Sequence, residues 1–225
     1  MEWPLWVFLS ATACICAGLW RWQWQSRRGT NDLTAVDLTE YPGFLTPDEC
    51  DAWVEWIRAH PEKFSESKVD RPFGQQVMNA HRRSEQCWLA PSQHRGVLDL
   101  RRRAEPILKG YLQTGLYGFE CLQVVRYKIG GFFRPHYDEQ VHFWRKKYGR
   151  DATLLIYLND NFTGGETVFP RLGRTIIPQK GKAILFRNLH PKSRTFLRSA
   201  YHGGLPVVSG EKYILNFWIH KVENE

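Results

Sequence analysis

The first half of the chain places apolar residues at helical intervals. In LTPDECDAWVEWIRAH, residues 45–60, a stripe with the spacing i, i+3, i+4, i+7 is formed by Cys50, Trp53, Val54 and Ile57. Thr46 stands before Pro47, and Glu49 occupies the third helical position, which is the capping-box pattern of a helix that begins at residue 47. A second helical stretch is predicted over 92–113, with a kink or break at Pro106.

The pattern changes to short β-branched and aromatic runs from residue 119 onward. These runs are FECLQVVRY (119–127), ATLLIYL (152–158), TIIP (175–178), KAILF (182–186) and YILNFWI (213–219). Turn signals rich in Gly, Asn and Asp separate them. Helices followed by a series of short strands favour a mainly β member of the α+β class, a helix-supported sandwich or jelly roll, over a parallel α/β sheet.

The N-terminus departs from the composition of a soluble domain. Residues 3–20, WPLWVFLSATACICAGLW, carry no charge. As a helix this run would be about 27 Å long, close to the roughly 30 Å hydrocarbon core of a bilayer. Tryptophans that could anchor its two ends are Trp3, Trp6, Trp20, Trp22 and Trp24. We therefore expect a single membrane anchor over 3–20, a polar linker over 21–35 and one domain over 36–225.

A cleavable signal peptide is the alternative for this N-terminal run. Such a peptide begins with positive charge, whereas Glu2 stands here, and cleavage after ATA at 11–13 would leave a very short apolar region. Arg21, Arg27 and Arg28 follow the run and favour a cytoplasmic side for the domain. Palmitoylation is a minor alternative for the cysteines of this segment.

Composition and charge narrow the classes of function only in part. Of the 225 residues 43% are hydrophobic, enough for a real core and against a disordered chain. The net charge of +8 is compatible with nucleic acid, an anionic membrane or an acidic substrate. The basic runs RRRAE and RKKYGR lack interleaved aromatic residues, which favours a solvated basic surface. The five cysteines form no CxxC pair, which argues against a zinc site or a disulfide framework.

The segment FFRPHYDE, residues 132–139, places His136 and Asp138 one residue apart after a Gly-Gly pair. At the two-residue period of a strand both side chains project to one side, so both could reach one metal ion. A His-x-Asp pair alone is unspecific, and a third ligand must come from elsewhere. His142 is near in sequence but has no matching partner, whereas His202 opens HGGLPVVSGEKYILNFW, where a turn leads to Lys212 on a final strand.

Two histidines and one carboxylate are the facial triad of non-heme Fe(II) oxygenases. A lysine buried beside such a centre requires an anionic partner, because an unpaired buried charge is costly. A dicarboxylate cosubstrate would supply that partner for Lys212.

The ordered motifs of residues 40–220 resemble the prolyl 4-hydroxylase-like branch of the Fe(II)/2-oxoglutarate dioxygenases. The motifs are FLTPDECDAWV, RRSEQCWL, LQVVRYKIGGFFRPHYD, LLIYLNDNFTGGETVFP, IIPQKGKAILF and HGGLPVVSGEKYILNFW. The resemblance implies a double-stranded β-helix, or jelly roll, with N-terminal helices. It further implies Fe(II), 2-oxoglutarate and O₂, with ascorbate as a reductant, and hydroxylation of a prolyl residue of a peptide or protein with release of succinate and CO₂.

The resemblance also assigns roles to residues. It implies that iron is held at the catalytic centre by His136, Asp138 and His202. Lys212 and Tyr127 would contact the far carboxylate of 2-oxoglutarate, and Thr167 and Trp218 would line its pocket. Arg83 matches an arginine near the peptide groove. Phe133 stands on the substrate side, where many relatives have tyrosine, and Tyr213 stands where many have tryptophan; both are departures from the family.

Other targets stay open at this point. The Phe133 departure weakens a collagen-like or plant-wall proline as substrate, and another side chain, a free amino acid or a methylated nucleic acid could be oxidised by the same chemistry. Only the basic net charge supports a nucleic-acid substrate. Lys212 stands where the nucleic-acid demethylase branch has an arginine, which argues against such a substrate. A catalytically silent, membrane-tethered binding protein is a third class. Many membrane-anchored eukaryotic relatives place the domain in a lumen, so the side of the membrane is left open.

Overall fold

The computed structural model describes residues 38–67, 69–70, 76–77, 81–112, 117–138, 149–191 and 195–221. The predicted membrane anchor at 3–20 and the linker at 21–35 lie outside these residues. None of the helices in the described ranges combines the length and the apolar character needed to cross a membrane.

Two long helices precede most of the strands, as the apolar stripes predict. Helix α1 spans Pro47–Ala59, and its Thr46–Glu49 capping box is confirmed. Helix α2 spans Arg95–Leu112 and continues through Pro106, so the predicted break is absent. Its buried stripe is Val97, Leu100, Ala104, Leu108 and Leu112. Short 3₁₀ helices cover Pro61–Lys63 and Arg198–Ala200.

Seventeen strands lie within the described ranges. In chain order they are β1 Leu38–Tyr41, β2 Ser65–Glu66, β3 Val69–Asp70, β4 Gln76–Val77, β5 Arg82–Arg83, β6 Glu85–Leu89, β7 Tyr117–Phe119, β8 Leu122–Tyr127, β9 Phe132–His136, β10 Arg150–Tyr157, β11 Thr163–Gly164, β12 Thr167–Phe169, β13 Arg174–Ile176, β14 Ala183–Arg187, β15 His202–Gly204, β16 Val207–Ser209 and β17 Lys212–Lys221.

Two antiparallel sheets dominate. The larger has the strand order β1-β14-β10-β17-β8-β6-β2, with β7 also paired to β17, and the smaller has the order β13-β12-β15-β9-β5. The pairs β11–β16 and β3–β4 stand apart. Two long helices with a strand-rich remainder make a mainly β fold, consistent with the predicted jelly-roll core.

The two faces of the larger sheet bury different cores. One core joins the helices to this sheet, and the other joins the larger sheet to the smaller one. Strand β17 shows the division clearly. Tyr213, Leu215 and Phe217 belong to the helix-side core, whereas Ile214 belongs to the core between the sheets. The two-residue period of the strand therefore turns its even-numbered side chains toward the smaller sheet.

Candidate active site

Three potential metal ligands converge where strands β9 and β15 pair. His136 lies directly opposite His202 in this pairing, and Asp138 follows at the end of β9. The ligand atoms of these three residues all lie within 4.8 Å of one another. Asp138 Oδ1 is 3.4 Å from His136 Nε2, and Asp138 Oδ2 is 3.8 Å from His202 Nε2. In the described part of the chain this is the one cluster of its kind.

Backbone carbonyls fix the orientation of both imidazoles. The Nδ1–H of His136 donates to the carbonyl of Arg134 at 2.8 Å, and the Nδ1–H of His202 donates to that of Ala200 at 2.9 Å. A carbonyl oxygen only accepts, so each Nδ1 carries the hydrogen and each Nε2 keeps a lone pair. The two Nε2 atoms that flank Asp138 are therefore in the form that binds a metal ion.

Protonation states also fit a divalent cation. Burial lowers the pKa of His202 to about 4, so this imidazole is neutral near pH 7. Burial tends to raise the pKa of Asp138, but His202, His136 and the Thr153 hydroxyl together hold that pKa below its usual range. A neutral histidine and an ionised carboxylate are the ligand forms that a metal requires. The residues present thus fit one Fe(II) ion held from one side.

A hydrogen-bond chain behind Asp138 fixes its carboxylate. The hydroxyl of Thr153 donates to Asp138 Oδ2 at 2.5 Å, and Asn188 Nδ2 donates to Thr153 Oγ1 at 2.9 Å. All three residues are buried. Sequence reasoning missed Thr153 and Asn188, because Thr153 lies within the continuous apolar run of β10 and no pattern marks it as polar support.

Lys212 lies on the other side of the same space. It is 3% exposed, and its Nζ donates to the carbonyl of Gly165 at 2.6 Å. The Nζ atom is 5.4 Å from the ring centroid of Tyr127 and 5.5 Å from that of Tyr157. Burial lowers the pKa of Lys212 to about 7, and the charge of Glu166 opposes this shift. An ammonium held here among aromatic rings gains greatly from an anionic ligand.

Two further cosubstrate candidates, Tyr127 and Thr167, line the same cavity as Lys212. Tyr127 pairs with Lys212 across β8 and β17, and burial raises the pKa of its phenol, so Tyr127 is a neutral hydroxyl near pH 7. Thr167 is buried, and its Oγ1 accepts a hydrogen bond from the Tyr157 hydroxyl at 2.7 Å. Both hydroxyl-bearing side chains therefore line the cavity that Lys212 also lines.

One cavity connects the metal cluster to Lys212. It has about 420 Å³ of empty space and is lined by Gln123, Tyr127, Phe133, His136, Asp138, Thr153, Leu155, Thr167, His202, Gly203, Gly204, Lys212, Ile214, Asn216 and Trp218. Within the described structure, Trp218 Nε1 and Asn216 Oδ1 are buried without a hydrogen-bond partner. Unsatisfied buried polar atoms are rare in proteins and are expected where a ligand completes the structure.

Two aromatic side chains in the cavity wall pack against neighbouring rings and a guanidinium. Phe133 stacks on the His136 imidazole, with ring centroids 3.5 Å apart. Trp218 lies between the Arg150 guanidinium, whose Cζ is 3.6 Å from the Trp218 ring centroid, and the half-exposed Trp88 ring at 5.4 Å. Phe133 and Trp218, both selected from the sequence, thus line the space next to the metal cluster.

Arg83, in contrast, is outside this cavity. Its side chain is exposed and lines a separate cleft of about 1060 Å³ together with Glu66, Glu85, Arg126 and Lys128. The neighbouring Arg82 is the arginine that is buried next to the cavity wall. His142, the alternative third ligand, lies outside the described residues.

A charged cluster flanks Trp218 and was not anticipated. Arg150 Nε donates to Glu120 Oε1 at 2.6 Å, and His220 Nε2 is 2.9 Å from the same oxygen. Burial tends to raise the pKa of Glu120, but His220 and Arg150 lower it to about 2. This cluster joins the ends of β10 and β17 beside the cavity.

Comparisons with known proteins agree with this geometry. Residues 122–220 match the family model of the 2OG-Fe(II) oxygenase superfamily. Prolyl 4-hydroxylase 5 of Arabidopsis thaliana is 31% identical over 201 residues, covering 80% of this chain and 67% of the relative. Probable prolyl 4-hydroxylase 7 of the same plant is 32% identical over 200 residues, and the chain spans 61% of its length.

The comparison with solved structures also finds prolyl hydroxylases. The 2OG complex of a viral collagen prolyl hydroxylase from Paramecium Bursaria Chlorella virus-1 superposes with a TM-score of 0.69 at 33% identity, covering 83% of this chain and 97% of the viral one. A Pseudomonas putida prolyl-4-hydroxylase, at 19% identity and a TM-score of 0.62, shares the fold.

Fold and site together define the class of Fe(II)- and 2-oxoglutarate-dependent dioxygenases. The chain belongs to the 2OG-Fe(II) oxygenase superfamily and, within it, to the family of the prolyl 4-hydroxylases. Members of this superfamily require Fe(II), 2-oxoglutarate and O₂.

Proposed function

We propose that this protein hydroxylates a prolyl residue of a peptide or protein, consuming 2-oxoglutarate and O₂ and releasing succinate and CO₂. One observation carries the proposal: a single cavity joins the cluster of His136, Asp138 and His202 to the buried Lys212. A metal site and an anion site in one cavity are what a keto diacid bound to iron needs.

In this proposal the three metal-site residues hold Fe(II) and Lys212 fixes the cosubstrate. The Lys212 ammonium pairs with the far carboxylate of 2-oxoglutarate, and the Tyr127 hydroxyl donates to the same group. Thr167 and Trp218 bound the pocket around it. When bound, the iron supplies the oxidative chemistry, with ascorbate as a reductant; the protein orients the reactants and excludes water.

The choice of a peptidyl proline rests on the relatives, which are named as prolyl hydroxylases. Phe133 lines the cavity beside the metal site, on the side that the resemblance assigns to the substrate. Arg83, in its exposed cleft, would contact a more distant part of a peptide. For the whole protein we propose a double-stranded β-helix that is preceded in the sequence by one membrane helix over residues 3–20. The uncharged run at these residues supports the membrane helix. The membrane side of the domain is left open.

Succinate release measured with different substrates tests this function. Proline-containing peptides should stimulate succinate formation by the Fe(II)-loaded protein, and mass spectrometry should find one added oxygen on proline. Free amino acids and methylated oligonucleotides serve as the other arms, because the sequence leaves these targets open. Stimulation by an oligonucleotide alone would replace the peptide by nucleic acid, and absence of turnover with intact iron and 2-oxoglutarate binding would indicate a binding protein.

A further inference from the structure

Arg150 connects one residue of the metal cluster to the wall of the cavity. Its Nη1 donates to the backbone carbonyl of Asp138 at 3.1 Å, and its Cζ lies 3.6 Å from the ring centroid of Trp218. Asp138 and Trp218 both line the cavity that joins the metal cluster to Lys212. One guanidinium therefore contacts two parts of the site that come from different segments of the chain.

Glu120 fixes the orientation of this guanidinium. Arg150 Nε donates to Glu120 Oε1 at 2.6 Å and Arg150 Nη2 donates to Glu120 Oε2 at 2.8 Å, which is the bidentate geometry of a strong arginine–carboxylate pair. This pair commits two of the three guanidinium nitrogens, and the third, Nη1, donates to Asp138. Because the guanidinium is planar, the edge that is bonded to Glu120 also sets the face that lies against Trp218.

A bulge in strand β10 precedes the residues that support Asp138. Arg150 and Ala152 lie opposite consecutive residues of β17, so Asp151 is an additional residue in β10. A β-bulge re-aims the side chains of the strand that carries it, and bulges are frequent beside active sites. Strand β10 thus holds Asp138 at two points, through the backbone carbonyl by Arg150 and through the carboxylate by Thr153.

We propose that Arg150 is a positioning residue, which holds the Asp138 backbone and the Trp218 ring in one arrangement around the metal ion and the cosubstrate. Groups that orient a metal ligand raise metal affinity, although they do not touch the ion. The Trp218 Nε1–H is buried without a partner among the described residues, so a fixed ring keeps one donor in the cavity wall for a bound anion. The inference rests on the proposed function, because it takes Fe(II) and 2-oxoglutarate as the occupants of the cavity.

Titration of Co(II) into the full-length protein, followed by visible absorption, tests the contact with Asp138 without turnover. The absorption bands of Co(II) report the arrangement of its ligands. We expect Arg150→Gln to raise the Co(II) dissociation constant about tenfold and to alter the bands. Arg150→Lys keeps the charge but loses the planar fork, and should stay about fivefold weaker than wild type.

Arg126→Gln is the matched control for these variants. It removes a similarly buried arginine from its pair with Glu85, and neither residue lines the cavity of the metal cluster. Co(II) affinity should stay within about twofold of wild type and the bands should be unchanged, because no contact with Asp138 is lost.

Calorimetric titration of 2-oxoglutarate into the Mn(II)-saturated full-length protein without O₂ tests the contact with Trp218. We expect Arg150→Gln to raise the dissociation constant about fivefold. In a Trp218→Phe background the same substitution should change it by less than about twofold, because the indole donor that Arg150 orients is absent.

Three results would overturn the proposal. Co(II) affinity and bands in Arg150→Gln and Arg150→Lys could equal those of wild type, or the fivefold loss could persist undiminished in the Trp218→Phe background. Equal changes in Arg126→Gln and Arg150→Gln would show a general effect of losing an ion pair. Failure of the metal-loaded wild-type protein to bind 2-oxoglutarate would instead overturn the proposed function, whereas the Co(II) titration would still measure the contact with Asp138.

Discussion

Lys212 and Tyr127 face each other across strands β17 and β8, with the Lys212 Nζ atom 5.4 Å from the centroid of the Tyr127 ring. The lysine is buried, among the described residues its Nζ donates only to the backbone carbonyl of Gly165, and its ammonium is the natural partner of an incoming carboxylate. This pairing brings together a charged donor, the Lys212 ammonium, and a neutral donor, the Tyr127 hydroxyl. Substituting each residue in turn measures the contribution of each donor.

Lys212→Ala should raise the 2-oxoglutarate concentration for half-maximal succinate formation by at least about tenfold, because a hydrogen bond to a charged group contributes about 1.5–3 kcal/mol. Iron binding should survive. Lys212→Arg should recover only part of the loss, because a planar fork replaces a compact charge. Tyr127→Phe should cost less, since it removes a neutral donor. Unchanged half-saturation in Lys212→Ala would contradict the cosubstrate assignment.

Binding of 2-oxoglutarate should depend on pH through Lys212. Burial lowers the pKa of Lys212 to about 7, so this group loses its proton as the pH rises through that value. A dianion binds the ammonium form, so complex formation above pH 7 takes up a proton, and affinity should fall by up to about tenfold per pH unit there. Calorimetry in two buffers of different ionisation enthalpy measures the proton directly.

Lys212→Met supplies the control, and it should abolish the proton uptake at about pH 8. Before the cosubstrate binds, the same group destabilises the fold below its folded pKa of about 7, because the unfolded chain keeps the ordinary pKa of 10.5. Stability should therefore rise as the pH increases from 7 toward 10.5 in wild type relative to Lys212→Met. Equal proton uptake in both proteins would exclude Lys212 as the titrating group.

Each metal-site residue should be indispensable. His136→Ala, Asp138→Ala and His202→Ala are expected to reduce turnover to background, because a facial triad with one ligand missing does not hold Fe(II) in the required geometry. Iron content and succinate release measure the effect. His190 is another histidine of the strand-rich half, and His190→Ala is the comparison. If His190→Ala abolishes activity while His202→Ala retains it, the distal ligand is misassigned.

Thr153 should tune metal affinity through Asp138. Thr153→Val removes the hydroxyl that donates to Asp138 Oδ2, and we expect Fe(II) affinity to fall about tenfold. Thr153→Ser keeps the hydroxyl and should stay within about twofold of wild type. The measurement is an Fe(II) titration alongside a thermal melt; equal affinity in the valine and serine variants would show that the hydroxyl is dispensable.

The N-terminal segment should hold the protein in a membrane. Full-length protein is expected to stay in the membrane fraction after washing with alkaline carbonate, and deletion of residues 1–28 should release it with activity intact. The physical reason is the uncharged run at 3–20. Recovery of a mature chain that begins near Cys14 would establish a signal peptide instead.

The sequence predicts the parts of this site that a strand pattern marks. His136 and Asp138 share a face by alternation, and the helix at 47–59 follows from its stripe and cap. Thr153 could not be identified, because β10 is buried on both faces and its pattern is continuous. The sequence selects Arg83, but the pairing of β5 with β9 leaves Arg83 exposed and buries Arg82, and a two-residue strand does not encode this locally.

Strand β17 has a consequence for how the site comes into being. Its odd-numbered residues seal the helical layer, while Lys212, Asn216 and Trp218 line the cavity. A pairing slip by one residue would present Tyr213, Leu215 and Phe217 to the cavity and bury an ammonium under the helices. A protein in which β17 is mispaired therefore has no pocket that could bind the anion. The anion-binding wall exists only when β17 pairs with β10 and β8 in the observed register, so activity can report that register.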